Sequence, residues 1–415
     1  MGIARLGFLI VAITTVTSTA YGAITLPSYE GEVKSQIQFR QDVYNHDSTP
    51  FDTYLKLDIK DIGNGTDLYF YGKLWKDFGY GTNWDLDLYQ LYARIPYPHS
   101  FLTVGRQFIS EGFETYTADA VKFTYYSDSG IRSTFYIGKP RYFEPNTYSG
   151  DDLIGGFKVD YNGFYFGFEN VRDDGSVKKS SFVFGTYRPF SYDASYYSRL
   201  EVDVAHGELT DFVGGVNYYP GRWRFNFETE FYNPDYTYGN DKEEDPIFSM
   251  FSPLGRELRF TESAYYTLSS EWQFYQRYTF SDLQVPGKDN GHMLKVGFIN
   301  DRWFSQGLRT TGAIIYQNSW MGILRGVEFS FNKWLSKKFS VSGIADVARY
   351  DKITYGKQWA NAFYLKGTYR PTDFSSFEVG LDYRKNEDFD RDVRIMFRYD
   401  CLFWGTGIKA KEAQR

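Results

Sequence analysis

Residues Arg222 to Phe231 read RWRFNFETEF, and the order of their side chains decides the fold. Trp223, Phe225, Phe227, Thr229 and Phe231 share one parity; Arg222, Arg224, Asn226, Glu228 and Glu230 share the other. Successive side chains of a strand point to opposite faces, so this stretch has one aromatic face and one charged face. A helix would scatter both sets around its circumference. The fold then turns on which solvent each face meets.

The same alternation recurs along the chain. Val33, Ser35, Ile37 and Phe39 oppose Lys34, Gln36, Gln38 and Arg40, and Leu55, Leu57 and Ile59 oppose Lys56, Asp58 and Lys60. Phe157, Val159 and Tyr161 oppose Lys158 and Asp160; Leu200, Val202 and Val204 oppose Arg199, Glu201 and Asp203. Leu294 and Val296 oppose Lys295, and Val327 and Phe329 oppose Glu328. Phe377, Val379, Leu381 and Tyr383 oppose Glu378, Asp382 and Arg384; Val393, Ile395, Phe397 and Tyr399 oppose Arg394 and Arg398. Two segments are irregular: 84–95 changes parity midway, and 178–188 reads either way.

About 22 strands are predicted, within a range of 18–22, running from 31–44 through 222–232 to 391–403, each about ten residues long. Every other connection is tight, among them 62–66, 96–99, Asn162-Gly163, 220–221 and 269–270, and those between are longer, up to 233–257. Short turns at one end and longer loops at the other, with both termini at the short-turn end, is the asymmetry of an outer-membrane barrel.

Of the 415 residues 42% are hydrophobic and 20% aromatic, the net charge is −6, and there are one Cys and four His. Mean hydropathy is −0.48, which excludes a helical membrane protein beyond the first two dozen residues. The lone Cys401 excludes a disulfide framework, a zinc cluster and a CxxCH haem attachment, and the acidic balance gives no basis for nucleic-acid binding. Residues 1–22, with Arg5, an apolar run from Leu6 to Val16 and small residues at Ser18-Thr19-Ala20, read as a signal peptide. The expected organisation is signal peptide 1–22, periplasmic segment 23–30, barrel 31–403 and polar tail 404–415. A soluble sandwich of this length would split into several domains, and no blade-length repeat of a propeller is present. The fold predicted is all-β: a transmembrane, antiparallel, up-and-down barrel with no plug domain.

In lipid every backbone N–H and C=O must be paired, which a closed barrel achieves. The aromatic parity then meets lipid, with Trp84, Tyr97, Tyr161, Tyr218, Trp223, Trp303, Trp334 and Trp404 as interfacial girdles. The charged parity lines the lumen. The expected lining set is Lys34, Arg40, Lys56, Asp58, Lys60, Lys158, Arg199, Glu201, Asp203, Arg224, Glu228, Glu230, Lys295, Glu328, Glu378, Asp382, Arg384, Arg394 and Arg398.

The pattern resembles Gram-negative outer-membrane porin-like barrels over the whole mature chain, by architecture rather than by a family motif. Leu102-Thr103-Val104-Gly105-Arg106-Gln107 looks like a strand end of many porins, and Phe397, Tyr399 and Phe403 resemble the aromatic last strand that directs barrel insertion. The resemblance implies an outer-membrane location and outer-membrane lipid as the surroundings. It departs in the polar tail after Phe403, since porins end on an aromatic residue.

No catalytic, metal or cofactor site is expected. His46, His99, His206 and His292 fall in loops, turns or strand ends, away from any Ser and carboxylate placed for a triad. The pairs Glu228/Glu230 and Glu201/Asp203 read as ion-lining residues rather than acid–base couples. Asp241, Glu243, Glu244 and Asp245 read as a solvated acidic loop rather than a Ca²⁺ site.

With strands ~4.8 Å apart and tilted ~40°, 22 of them enclose a cylinder roughly 40–45 Å across. Most loops are too short to cover such a bore; 233–257, with Tyr236, Tyr238, Phe248 and Phe251, is the expected constriction. Two functions follow: a channel for passive passage of small polar or ionic solutes, and alternatively a sheath housing a multihaem cytochrome, as in porin–cytochrome conduits. A homo-oligomer is a further possible partnership.

Overall fold

The alternating segments form strands that hydrogen-bond to their chain neighbours, all antiparallel. The computed structural model describes residues 27–41, 47–113, 115–141, 152–173, 175–233, 256–283, 290–303, 306–319, 322–352, 356–386 and 392–405. The signal peptide, His46, most of the 233–257 loop with its acids and aromatics, and the tail beyond Gly405 lie outside the described residues.

The first eight strands are β1 (Ser28–Gln41), β2 (Asp47–Ser48), β3 (Pro50–Lys60), β4 (Asp67–Asp77), β5 (Asp85–Tyr97), β6 (Ser100–Ile109), β7 (Tyr116–Tyr126) and β8 (Ile131–Arg141). Next come β9 (Leu153–Tyr161), β10 (Phe164–Asp173), β11 (Ser176–Pro189), β12 (Ala194–Asp203), β13 (Glu208–Tyr218), β14 (Trp223–Tyr232), β15 (Glu257–Thr267) and β16 (Trp272–Leu283). The last are β17 (Gly291–Asn300), β18 (Leu308–Ser319), β19 (Gly322–Trp334), β20 (Phe339–Lys352), β21 (Gly356–Thr372), β22 (Ser375–Lys385) and β23 (Asp392–Gly405). Of these 23, the two-residue β2 only extends the top of β1, through Arg40↔Ser48 and Gln41↔Asp47. The other 22 close on themselves, because β1 pairs with β23 from Tyr29↔Gly405 to Phe39↔Ile395. The predicted strand number and closed barrel are therefore borne out. The ladder closes all the way round, except that Asp85–Gln90 of β5 have no ladder partner in β6.

Tight turns sit at one end. Asn162 (φ 50°) and Gly163 (φ 79°) are both left-handed, as a two-residue hairpin between twisted strands requires. The first strand starts and the last strand stops at this end, since Ser28 faces Lys60 and Gly405 faces Tyr29. The other end is less uniform than expected: it carries the long 233–256 connection and also short ones such as 204–207. The barrel begins at Ser28 and runs to Gly405, so it takes residues from both flanking segments.

The two irregular segments have physical causes. In β5, Tyr71 pairs with Gln90 but Gly72 with Leu88, so Tyr89 is an extra residue and the parity switches there. In β11, Val171 pairs with Lys179 but Arg172 with Val177, leaving Lys178 as the extra one.

The outer face carries the aromatic parity. Phe166 and Phe182 stack at 5.7 Å across β10 and β11. At the tight-turn end Trp223 meets Tyr266 at 4.7 Å, Trp272 meets Trp303 at 5.6 Å and Phe374 meets Trp404 at 4.3 Å. At the opposite end Trp84 lies edge-on to Phe51 and Phe78. These are the two rims where amphipathic rings suit a membrane–water boundary.

Candidate functional site

The inner wall carries many ion pairs, and a recurring kind joins residues two apart on one strand. Two residues apart means the same face, about one charged side chain's reach away. Lys34 lies 2.9 Å from Glu32, Lys60 2.6 Å from Asp58, and Lys158 3.2 Å from Asp160. Arg199 lies 2.9 Å from Glu201, Arg384 2.9 Å from Asp382, Arg394 2.5 Å from Asp392 and Arg398 2.9 Å from Asp400. Cross-strand pairs join them: Lys295–Glu328 at 2.7 Å, Lys366–Glu378 at 3.3 Å and Arg259–Glu230 at 3.5 Å.

The remaining members of the expected set have other contacts. The Arg40 guanidinium donates to Ser48 Oγ at 3.4 Å. Lys56 sits 5.7 Å from the Tyr69 ring and Arg224 5.0 Å from the Tyr265 ring; among the described residues neither has a carboxylate at ion-pair distance. Glu228 accepts a hydrogen bond from the Tyr197 hydroxyl. Asp203 is fully buried and closes a turn, accepting from Ser180 N and Ala205 N, each at 3.0 Å. It also holds His206 Nδ1 at 2.5 Å, so this histidine, unlike the expectation for it, does have an adjacent carboxylate.

A hairpin turns inward from the wall. β6 pairs with β5 only as far as Arg106↔Leu91, whereas it stays paired with β7 up to Ile109↔Tyr116. Between them stands Gly105 at φ 123°, where a Cβ would lie 2.3 Å from Leu91 O. Only glycine permits that conformation and that approach. Above it the tops of β6 and β7 turn inward together with the end of β8, which stays paired with β7 up to Thr117↔Arg141, and the 110–113 tip packs against β10 and β11. A Cβ on Gly112 would stand 3.1 Å from the Tyr165 ring and 3.6 Å from Val183, and one on Gly167 would stand 3.2 Å from the Phe113 ring. Glu111 at the tip meets Lys122 at 3.4 Å and Arg132 at 3.5 Å.

Ile109, Tyr116 and Ala118 of the hairpin and Tyr136, Ile154 and Val171 of β8, β9 and β10 form one buried apolar cluster. Tyr136 donates a 2.6 Å hydrogen bond to the buried Glu169. On the hairpin's other side, Phe108 borders a cleft of about 360 Å³ with Lys34, Tyr54, Lys56, Tyr69 and Tyr71. Asp119 ties the three strands together, 2.7 Å from Arg106 and 2.5 Å from Arg141.

Two expectations are corrected here. A six-residue connection, 110–115, does fold in, because its strands bend with it. The inner wall is also not polar throughout: besides the cluster at the hairpin, Ile315, Leu324, Ala348, Tyr350 and Ala360 form a second buried apolar group. The signals available in the sequence were Gly105 in mid-strand and the apolar Val183 on an otherwise polar parity, which needs a cover.

Among the described residues no three His, Cys, Asp or Glu side chains are placed to hold a metal ion. His99 lies 3.6 Å from Asp128 in a turn, and His292 accepts or donates at 2.8 Å with Tyr278 on the outer face.

A closed barrel with an aromatic outside, a charged inside and an in-folded hairpin is the architecture of a membrane-spanning pore. No protein-family model matches the sequence, and no curated protein matches it. Among solved structures, the P pilus usher (PapC) translocation pore aligns with a TM-score of 0.50 at 8% identity, over 90% of this chain and 99% of that one. A chain of the E. coli P pilus tip assembly intermediate PapC-PapD-PapK-PapG gives 0.52 at 9% identity, over 94% of this chain and 62% of that one. Acinetobacter baumannii OccAB3 gives 0.44 at 10% identity, over 91% and 99%. At these identities the likeness to the usher is one of fold.

Proposed function

We propose that this chain is an outer-membrane channel, a porin-like conduit that passes small polar or ionic solutes passively through a bore narrowed by the β6–β7 hairpin. The observation that carries the reading is that hairpin, anchored across a charge-lined wall by Glu111 and Phe113. A bore of this width without it would discriminate poorly; with it, solutes pass between paired charges and phenol rings, which select by size and charge. The aromatic exterior suits lipid, and a barrel spanning with strands belongs to the outer membrane of a Gram-negative bacterium. The expected lining residues act as this electrostatic filter, with Lys56 and Arg224 as the cations open to a passing anion. The reading is non-enzymatic: the inner carboxylates are engaged by cations, hydroxyls or backbone donors rather than left to do proton transfer.

The sheath reading gains no support. The test is conductance of the purified protein in planar bilayers. A steady ohmic current that rises several-fold when residues 110–115 are replaced by a short Gly-Ser turn supports the channel. Silence from both proteins, each folded, overturns it.

A further inference from the structure

Among the described residues, the outer face carries a carboxylate at the centre of a strand without an ionic partner. Glu262 is the sixth residue of the eleven-residue β15, on the parity of Phe260, Ala264 and Tyr266. It lies opposite Phe227 on β14 and Tyr278 on β16, in registers that run without a shift from Tyr232↔Glu257 to Trp223↔Tyr266. No bulge therefore turns it inward, and its flanking neighbours Thr261 and Ser263 are the buried, inner-face ones. Among the described residues nothing pairs with its carboxylate.

The surroundings are not those of a plain lipid-facing wall. Gln276 sits one diagonal step away, opposite Ala264, with its amide likewise unengaged. Thr229 lies opposite Gly214 and Phe260. Tyr196, Val216, Phe227, Phe260 and Tyr278 border a groove of about 590 Å³ over Gly214 and Glu262. Ala264 is small enough to let another surface approach, whereas the Phe212 ring already covers Gly214, 3.0 Å from where a Cβ would stand. A carboxylate and an amide turned toward hydrocarbon are each costly, whereas a neighbouring surface offering a donor and an acceptor removes both costs.

We propose that this groove is a two-fold interface between copies of this chain in the membrane, with Glu262 accepting hydrogen bonds from Gln276 of the partner subunit. All copies insert with one polarity, so the axis runs along the membrane normal. An acceptor and a donor side by side on one face are self-complementary about such an axis. A second copy therefore satisfies both groups at once, where a lipid amine or a basic helix would satisfy Glu262 alone.

The test uses the full chain in membranes, in a Cys401→Ser background, with Ala264→Cys at the groove and Val379→Cys on the outer face of β22 as control. A short bismaleimide is expected to convert Ala264→Cys to a dimer at least tenfold more than Val379→Cys. Adding Glu262→Leu and Gln276→Leu is expected to cut that yield several-fold while the heat-shifted gel mobility of the folded barrel is kept. Yields no better than the control, yields unchanged by the two Leu substitutions, or an adduct with a different protein each overturn the proposal. Labelling of folded Ala264→Cys by a lipid-soluble maleimide reports separately whether this face points outward.

Discussion

The Glu111 carboxylate at the tip of the in-folded hairpin lies 3.4 Å from the Lys122 ammonium on β7, and Arg132 on β8 approaches it to 3.5 Å from another side. Glu111 is only 5% exposed, Lys122 18% and Arg132 38%. The contact is therefore the electrostatic clasp of the constriction, with the Arg132 share weakened by water. Glu111→Gln keeps the shape and removes the charge. It should weaken the closed hairpin by on the order of 1–3 kcal/mol, the scale of a hydrogen bond to a charged group. Single-channel recording should then show added gating noise and longer high-conductance periods. A trace indistinguishable from the parent protein would mean that packing of Phe113 alone holds the hairpin.

Gly105→Ala tests the hinge. The residue combines φ 123° with a site where a Cβ would meet backbone oxygen at 2.3 Å, so both the conformation and the space forbid a side chain. Strain of this kind costs about 1–3 kcal/mol before any clash is counted. The expected outcome is a lower urea midpoint for the folded barrel in micelles, together with conductance closer to that of a hairpin deletion. Gly130→Ala, also left-handed at φ 84° but in a turn where a Cβ would meet nothing within 4 Å, isolates the conformational share.

Selectivity should follow single pairs on the wall. Lys295 and Glu328 face each other at 2.7 Å with about a quarter of each side chain exposed. Glu328→Gln leaves the ammonium unneutralised in the water path, so the reversal potential in a KCl gradient should move toward anion preference. The shift should shrink in 1 M salt, where the screening length falls to roughly 3 Å. A shift toward cations, or none at low salt, would remove this pair from the solute's route.

The barrel was legible because alternation is local. A clean strand declares its own two faces without any long-range information, and the readings fail only where a bulge shifts the register, in β5 and β11. The inner ion pairs were half legible. Opposite charges two apart, as in Asp58/Lys60, Asp382/Arg384 and Asp392/Arg394, are visible in the sequence and predict neutralisation on one face. Reading the charges one by one as water-lining missed that. The hairpin was not legible, because it depends on where β6 stops pairing with β5, a tertiary event. Gly105 only permits it, and the partners that reward it, Tyr165, Gly167 and Val183, lie some sixty to eighty residues further on.

The assignment of faces can be tested at one depth on one strand. Phe227 and Asn226 are adjacent on β14; the ring points outward beside Phe225, while the amide donates to Asn217 at 3.1 Å across the inner face. In a Glu262→Leu background, which removes the carboxylate opposite position 227, arginine there would sit near the middle of the lipid-facing band and should cost about 2–4 kcal/mol. Arginine at 226 enters a wet, charged wall, where the loss is that of one neutral hydrogen bond, about 1 kcal/mol. Equilibrium folding of Phe227→Arg and Asn226→Arg, both in that background, into bilayers of short-chain phosphatidylcholine measures both. The inequality comes from the solvent each face meets rather than from the strand itself, so equal costs, or a larger cost at 226, would turn the barrel inside out.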